Sequence, residues 1–239
     1  MSQPDLRAVL RAPLDDVPRL AYADALGTDP RAELIRIQLN NRSSQPTPRE
    51  RELLIAHRAE WLAPVASLVK TAALARGFVQ LVSMTADQWL RNASVLLSLA
   101  PVLDLYLTGV AGRPEVFAVP ELARLRSLDL SHNGLSDADA SALAASAHVS
   151  GLRWLNLSNN QIGRPGLDAL ALSANLSALR WLGFAHNAAP DPVPMPQLDY
   201  GVVGFVDVPP IHAELIARVG PKPWLEARHT DTTPNPADV

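Results

Sequence analysis

The sequence contains no cysteine among its 239 residues. This absence excludes disulfide bonds, thiolate metal sites and a cysteine nucleophile, and it is typical of a reducing compartment. Aromatic residues make up only 5% of the chain, and its lysines are Lys70 and Lys222 alone. With a formal net charge of −3, the chain also lacks the positive charge that favours binding to nucleic acid or an anionic membrane.

Long apolar runs are missing as well. No stretch approaches the roughly 20 residues of a membrane span, and residues 1–7 lack the basic flank and apolar run of a secretory signal. We therefore expect a cytoplasmic protein without membrane association. No glycine-rich phosphate loop, nucleophile elbow or histidine–glutamate metal motif is present, so we expect no cofactor, no metal and no catalysis by this chain alone.

The sequence contains a nine-residue motif that occurs three times, at a spacing of 27 residues. It reads Leu-x-x-Leu-x-Leu-x-x-Asn, with phenylalanine for the last leucine in the third copy, and it starts at Leu125, Leu152 and Leu179. Such a fixed period indicates stacked units, because one unit cannot bury its apolar face alone. Weaker copies start at Val79 and Val102. We therefore predict five strand units, two of them degenerate.

Each copy predicts a short strand followed by a turn and a helix. Side chains alternate between the two faces of a strand, so the leucines are predicted to point inward. Asn133, Asn160 and Asn187 are predicted to form a hydrogen-bonded ladder along the stack, because an amide can both donate to and accept from backbone groups. Apolar residues at helical spacing follow each full copy, and Asp137 is the predicted N-cap of the first helix.

A strand and a helix at this period resemble the leucine-rich repeats of the ribonuclease-inhibitor-like class. The resemblance implies an α/β fold, a short leucine-rich repeat solenoid with parallel strands on the concave face and helices on the convex face. It also implies a binding scaffold, since repeat stacks of this kind present extended binding surfaces.

The N-terminal part resembles a second family. The segments 18–24 and 29–38, together with Arg76-Gly77-Phe78-Val79, are similar to the repeat-companion domain that precedes the repeats of some bacterial leucine-rich repeat proteins. We therefore predict four regions. These are an all-helical N-terminal cap over 1–76, the repeats over 77–187, a C-terminal cap over 188–226 and a disordered tail over 227–239.

The alternation of the strands also predicts which side chains face outward. Trp154 and Trp181 are predicted to stand side by side and exposed, and exposed tryptophan is enriched at binding hot spots. The alternative is that the proline-rich segment after Asn187 folds over them. Further outward residues are predicted to contribute to the same concave binding face: Asp104, Tyr106, Arg126, Asp129, Arg153, Asn156 and Arg180.

These observations predict a protein that binds another protein or a peptide through its concave face and that is a monomer when free. The arginines either hold carboxylates of a partner or form a solvated rim. The alternative function is a substrate-recognition or accessory subunit of an enzyme complex that modifies peptides or proteins. Fold alone does not choose between these functions.

Overall fold

The computed structural model describes residues 5–41, 45–192 and 211–225, together with the backbone of residues 195–196, 206–207 and 210. The chain divides into two compact units, Met1–Leu105 and Tyr106–Val239. Among the described residues, no helix is long and apolar enough to cross a membrane.

The first unit begins with four helices, and the first, third and fourth each start at a residue whose side chain caps the helix. Their bounds are α1 Leu6–Arg11, α2 Val17–Leu26, α3 Pro30–Asn40 and α4 Pro48–Leu62. The side chain of Asp29 accepts a hydrogen bond from the Arg31 backbone at the start of α3. At the start of α4, Thr47 and Glu50 form a capping box. Capping side chains satisfy backbone N–H groups that a helix leaves unpaired, so these starts are encoded in the local sequence.

The prediction of an all-helical N-terminal cap is wrong, because this region also contains a strand. Strand β1 (Thr71–Ala75) pairs antiparallel with β2 (Phe78–Thr85), and helix α5 (Ala86–Leu99) follows. The hairpin turns through Arg76 and Gly77, whose φ angles are 52° and 81°. Two positive φ angles in succession are what a two-residue turn needs to match the twist of its strands.

The segments that resemble the repeat-companion domain surround this hairpin turn. Arg19 lies in α2, is fully buried, and donates hydrogen bonds to the carbonyl oxygens of Arg76 and Pro13 at 3.0 and 2.7 Å. The amide oxygen of Gln38, in α3, accepts from the Gly77 backbone at 2.6 Å. Burial lowers the pKa of Arg19 to about 10, assisted by the positive charge of Arg76. These side chains therefore lock α2 and α3 onto the turn.

Aromatic contacts strengthen the same cluster. The ring of Phe78 lies 5.1 Å from the guanidinium carbon of Arg19 and 5.1 Å from that of Arg31. Tyr22 meets Phe78 edge-on, with ring centroids 5.1 Å apart. Cation–π contacts contribute most when they are shielded from water. Packing within the first unit thus explains why the segments that resemble the repeat-companion domain carry these arginine and aromatic residues.

The second unit contains the regular repeats. Strand β3 (Asp104–Thr108) begins in the first unit and ends in the second. Strands β4 (Ser127–Asp129), β5 (Trp154–Asn156) and β6 (Trp181–Gly183) pair in parallel. Helices α6 (Asp137–Ala145) and α7 (Arg164–Leu172) follow β4 and β5, whereas two 3₁₀ turns, Pro114–Ala118 and Pro120–Arg124, lie between β3 and β4.

The inward positions of the repeats form the core of the second unit. Leu128, Leu130, Leu155 and Leu157 are completely buried. Truncating a buried leucine to alanine costs about 2–5 kcal/mol, so these residues supply a large part of the stability of the stack. The alternation predicted for the strands is therefore confirmed on their inner face.

Asp137 caps a different helix from the one predicted. The N-cap of α6 is Ser136, which forms a capping box with Asp139. The carboxylate of Asp137 instead accepts from the Gly163 and Gly166 backbone N–H groups at 2.7 and 2.9 Å. Gly163 is the N-cap of α7 and has no side chain to do this itself. One repeat therefore caps the helix of the next.

We expect Asp137→Ala to lower the free energy of unfolding by about 1–2 kcal/mol, since both N–H groups lose their acceptor. Asp137→Asn keeps a side-chain oxygen in the same place and is expected to lose less than half of that amount. Urea denaturation of the two variants beside the wild type measures the difference. Equal losses in both variants would mean that charge, not the hydrogen bonds, is what matters.

The C-terminal part packs against the last repeat helix. Helix α8 (Pro210–Val219) is followed by a 3₁₀ turn at Pro223–Leu225. Arg164 of α7 bonds Asp168 at 2.9 Å and Glu214 of α8 at 2.8 Å, and Arg218 of α8 bonds Asp168 at 2.8 Å. Burial acts to raise the pKa of Asp168, but the two arginines outweigh it and hold that pKa below its ordinary value.

Two short strands, β7 (Met195–Pro196) and β8 (Val206–Asp207), pair antiparallel. Much of the C-terminal cap predicted over 188–226, and the whole tail predicted over 227–239, lie outside the described residues.

Candidate protein-binding surface

The outer face of strands β4–β6 is the face opposite the buried leucines, and it carries the residues predicted to bind a partner. Its first position holds Ser127, Trp154 and Trp181 on successive strands, in register. Its second position holds Asp129, Asn156 and Gly183 in the same way. The strand pairing therefore brings the predicted residues of the second unit together as neighbours.

The expectation that Trp154 and Trp181 are exposed is wrong. Only 4% of Trp154 and 8% of Trp181 is accessible to solvent. The two rings stack on each other with centroids 4.6 Å apart and an interplanar angle of 9°. Ser127, the next residue in this line, is also buried. The tryptophan pair, Trp154 and Trp181, is thus a packed element of the second unit rather than an open hot spot.

Gly183 makes room for this stack. A Cβ atom at Gly183 would lie 2.5 Å from Cη2 of Trp181 and 2.4 Å from Oδ1 of Asn156. Both distances are shorter than any tolerable contact, so the ring of Trp181 and the amide of Asn156 occupy the space above the glycine. The sequence offers one signal for this arrangement, which is the loss of a side chain at the position that holds Asp129 and Asn156 in earlier repeats.

The polar row consists of Asp129 and Asn156 and remains half-exposed. Nδ2 of Asn156 donates to Oδ2 of Asp129 at 3.2 Å. Each side chain also accepts from a backbone N–H two residues later, Asp129 from Ser131 at 2.9 Å and Asn156 from Ser158 at 3.1 Å. These bonds fix both side chains, so the row presents a preorganised polar surface with little conformational entropy left to lose on binding.

Two other predicted residues lie on β3. Tyr106 is half-buried and belongs to the second unit. Asp104 is half-buried and belongs to the first unit, where the amide of Gln80 donates to its carboxylate at 3.4 Å. The second unit therefore contributes Tyr106 and the polar row to one candidate surface.

The arginine row consists of Arg126, Arg153 and Arg180, each directly before the first outward residue of its strand. The Arg153 backbone N–H donates to the carbonyl of Arg126 at 2.8 Å, and that of Arg180 donates to Arg153 at 2.8 Å. Arg126 and Arg153 are half-buried, and Arg180 is exposed. The ladder of backbone hydrogen bonds thus places three positive side chains along one edge of the outer face.

The asparagines at the ends of the repeats make the hydrogen bonds that a ladder requires. Oδ1 of Asn160 accepts from the Asn133 and Leu135 backbone at 3.0 Å each, while its Nδ2 donates to the carbonyls of Leu130 and Leu157 at 3.0 and 2.8 Å. Asn133 and Asn187 bond the backbone of neighbouring turns in the same way. These side chains are therefore occupied within the stack.

The histidines of the repeats have a conformational explanation. His132, Asn159 and His186 occupy one repeat position, and their φ angles are 56°, 59° and 58°. Asparagine and histidine are enriched among residues that adopt this left-handed conformation. Within the described residues, no group of three or more histidine, aspartate or glutamate side chains is placed to hold a metal ion.

Comparison with known proteins identifies the repeats. Residues 124–144 and 152–171 match the family described as Leucine Rich repeat. These residues contain β4 with nearly all of α6, and β5 with nearly all of α7. No curated protein matches the chain. Two segments of the second unit are therefore similar to leucine-rich repeats.

Proposed function

We propose that the chain is a binding scaffold whose outer strand face holds another protein or a peptide, with no catalysis of its own. Leucine-rich repeats generally mediate protein binding, and the matched residues supply two of the three strands of this face, β4 and β5. The observation that carries the proposal is the polar row, in which Asp129 and Asn156 are fixed by hydrogen bonds and remain half-exposed.

The tryptophan pair lies beside the polar row on the same outer face and supports it rather than contacting the partner. Trp154 precedes Asn156 by two residues on the same strand, and Trp181 occupies the space above Gly183. Rigid support of this kind holds contact residues in one geometry, which preserves affinity. Tyr106 adds a half-buried aromatic ring with a polar end, a side chain that is enriched at interfaces.

A selection experiment tests the proposal without a known partner. Peptides enriched from a random display library on the wild-type chain are expected to bind Tyr106→Ala/Asp129→Ala at least about tenfold more weakly, a difference of about 1.4 kcal/mol. Isothermal titration calorimetry with the purified peptides measures it.

The matched control removes one large side chain and one acid from the helical parts of the same unit, as Glu121→Ala/Leu172→Ala. This variant is expected to bind the selected peptides as the wild type does. Failure to enrich any peptide, or an equal loss in the control variant, would contradict the proposed surface.

A further inference from the structure

The arginine row places like charges next to one another. Arg153 and Arg180 are joined by a backbone hydrogen bond of 2.8 Å between parallel strands, so their Cα atoms lie about one strand spacing apart, roughly 4.8 Å. Like charges at neighbouring positions of a sheet are destabilising. Repulsion between the two arginines costs stability and is not needed for the strands to pair. We therefore expect these arginines to serve in binding.

Other arginines of the same unit have carboxylate partners. Arg113 bonds Glu115 at 3.1 Å, Arg164 bonds Asp168 at 2.9 Å, and Arg218 bonds Asp168 at 2.8 Å. For Arg153 and Arg180, the described part of the chain provides no ion pair or side-chain hydrogen bond. Within the described residues, their guanidinium groups therefore keep their hydrogen-bond donors for other acceptors.

The geometry suits carboxylates. A guanidinium group offers N–H donors in a planar fork that matches the two oxygens of a carboxylate. Neighbouring strands repeat this fork at about the strand spacing, roughly 4.8 Å. Alternate side chains of an extended peptide lie on one face about 6.6 Å apart, a gap that the long arginine side chains can bridge, so two acidic residues at alternate positions can reach neighbouring arginines. A nucleic acid is disfavoured, because the chain as a whole carries a net charge of −3.

We propose that the arginine row is the specificity element of this surface and that its partner is a peptide segment with at least two acidic side chains, held by Arg153 and Arg180. This inference rests on the proposed binding function and names the class of partner. The carboxylate of Asp129 lies on the same face, three residues after Arg126, and repels acidic groups there. The acidic side chains of the partner are therefore confined to the edge that carries the arginines.

The test compares two labelled probe peptides by fluorescence anisotropy at low salt, one rich in glutamate and one with glutamine in place of every glutamate. The glutamate peptide is expected to bind the wild type at least about tenfold more tightly than the glutamine peptide. Arg153→Glu/Arg180→Glu is expected to remove that preference. The control Arg7→Glu/Arg11→Glu makes the same change of charge on exposed positions of α1 and is expected to leave it intact.

A second variant covers the case in which the charge reversal fails to fold. Arg153→Lys/Arg180→Lys keeps both charges but loses the planar fork. Its affinity for the glutamate peptide is expected to be about three- to tenfold lower, which corresponds to the loss of one good charge-assisted hydrogen bond. Thermal unfolding followed by circular dichroism confirms that each variant is folded.

Three results would overturn the assignment. The first is equal binding of the two probe peptides, and the second is an equal loss in the α1 control. The third is tighter binding of duplex DNA or RNA than of the glutamate peptide, if Arg153→Glu/Arg180→Glu abolishes that nucleic-acid binding. If the random library instead yields neutral peptides that bind the polar row, this inference fails and the proposed function stands. If the library yields no binder, the proposed function itself fails.

Discussion

Replacing either Trp154 or Trp181 with alanine is expected to lower the free energy of unfolding by about 3–5 kcal/mol. Each ring is at least nine-tenths buried, and each packs against the other at a centroid distance of 4.6 Å. Removing one ring loses its buried apolar area and leaves a cavity beside its partner. Urea denaturation followed by far-ultraviolet circular dichroism measures the loss, and a cost below about 1 kcal/mol would show that the ring is exposed in solution.

The stacking itself is measured by the double variant. If the rings stabilise each other beyond their burial, the double variant is expected to cost about 0.5–1.5 kcal/mol less than the sum of the two single variants. Trp89 is the control, because it is fully buried in α5 of the first unit. A cycle of Trp89→Ala with Trp181→Ala is expected to be additive, and coupling of similar size in both cycles would contradict a specific stack.

This packing changes how a binding experiment should be designed. Had the tryptophan pair been exposed, its removal would test the binding surface directly. Because the pair is buried, its removal weakens the fold, and lost binding would not locate a site. Tyr106 and Asp129 are half-exposed, so their substitution changes the surface with a smaller effect on the core.

The outward position of the two tryptophans could be predicted from the sequence, but their burial could not. Strand alternation determines which face a side chain lies on, and it places Trp154 and Trp181 in register on adjacent strands. It carries no information about how the rings pack once they are neighbours. That depends on the space left by Gly183, which the ring of Trp181 and the amide of Asn156 from the preceding repeat occupy.

The first unit shows the same division between local and non-local information. Helices α3 and α4 each start with a capping side chain followed directly by a proline, so these starts are encoded in the local sequence. Strand β1 is rich in alanine, which is depleted in strands, and it exists because it pairs with β2. The role of Asp137 in the second unit is non-local in the same way, because the helix that it caps lies in the next repeat.

Gly77→Ala is the second substitution with a large expected effect, and it is expected to lower the free energy of unfolding by about 2–6 kcal/mol. Gly77 has a φ angle of 81°, and a Cβ atom there would lie 2.1 Å from Cγ1 of Ile35 and 2.9 Å from its Cβ. The left-handed backbone conformation contributes about 1–3 kcal/mol of this cost. The collision with Ile35 in α3 contributes about 1–3 kcal/mol more, because the core must shift to accept the methyl group.

Gly109→Ala separates the two contributions. Gly109 has a similar φ angle of 72°, yet no atom lies within 4 Å of the position that a Cβ would take. Its substitution is therefore expected to cost only the backbone part, about 1–3 kcal/mol. Thermal and urea denaturation of both variants measure the difference. If Gly109→Ala costs as much as Gly77→Ala, the backbone alone sets the requirement for glycine. A clear excess at Gly77 means that α3 packs directly on the hairpin turn, which is why Arg76-Gly77-Phe78 and the α3 segment occur together in the sequence.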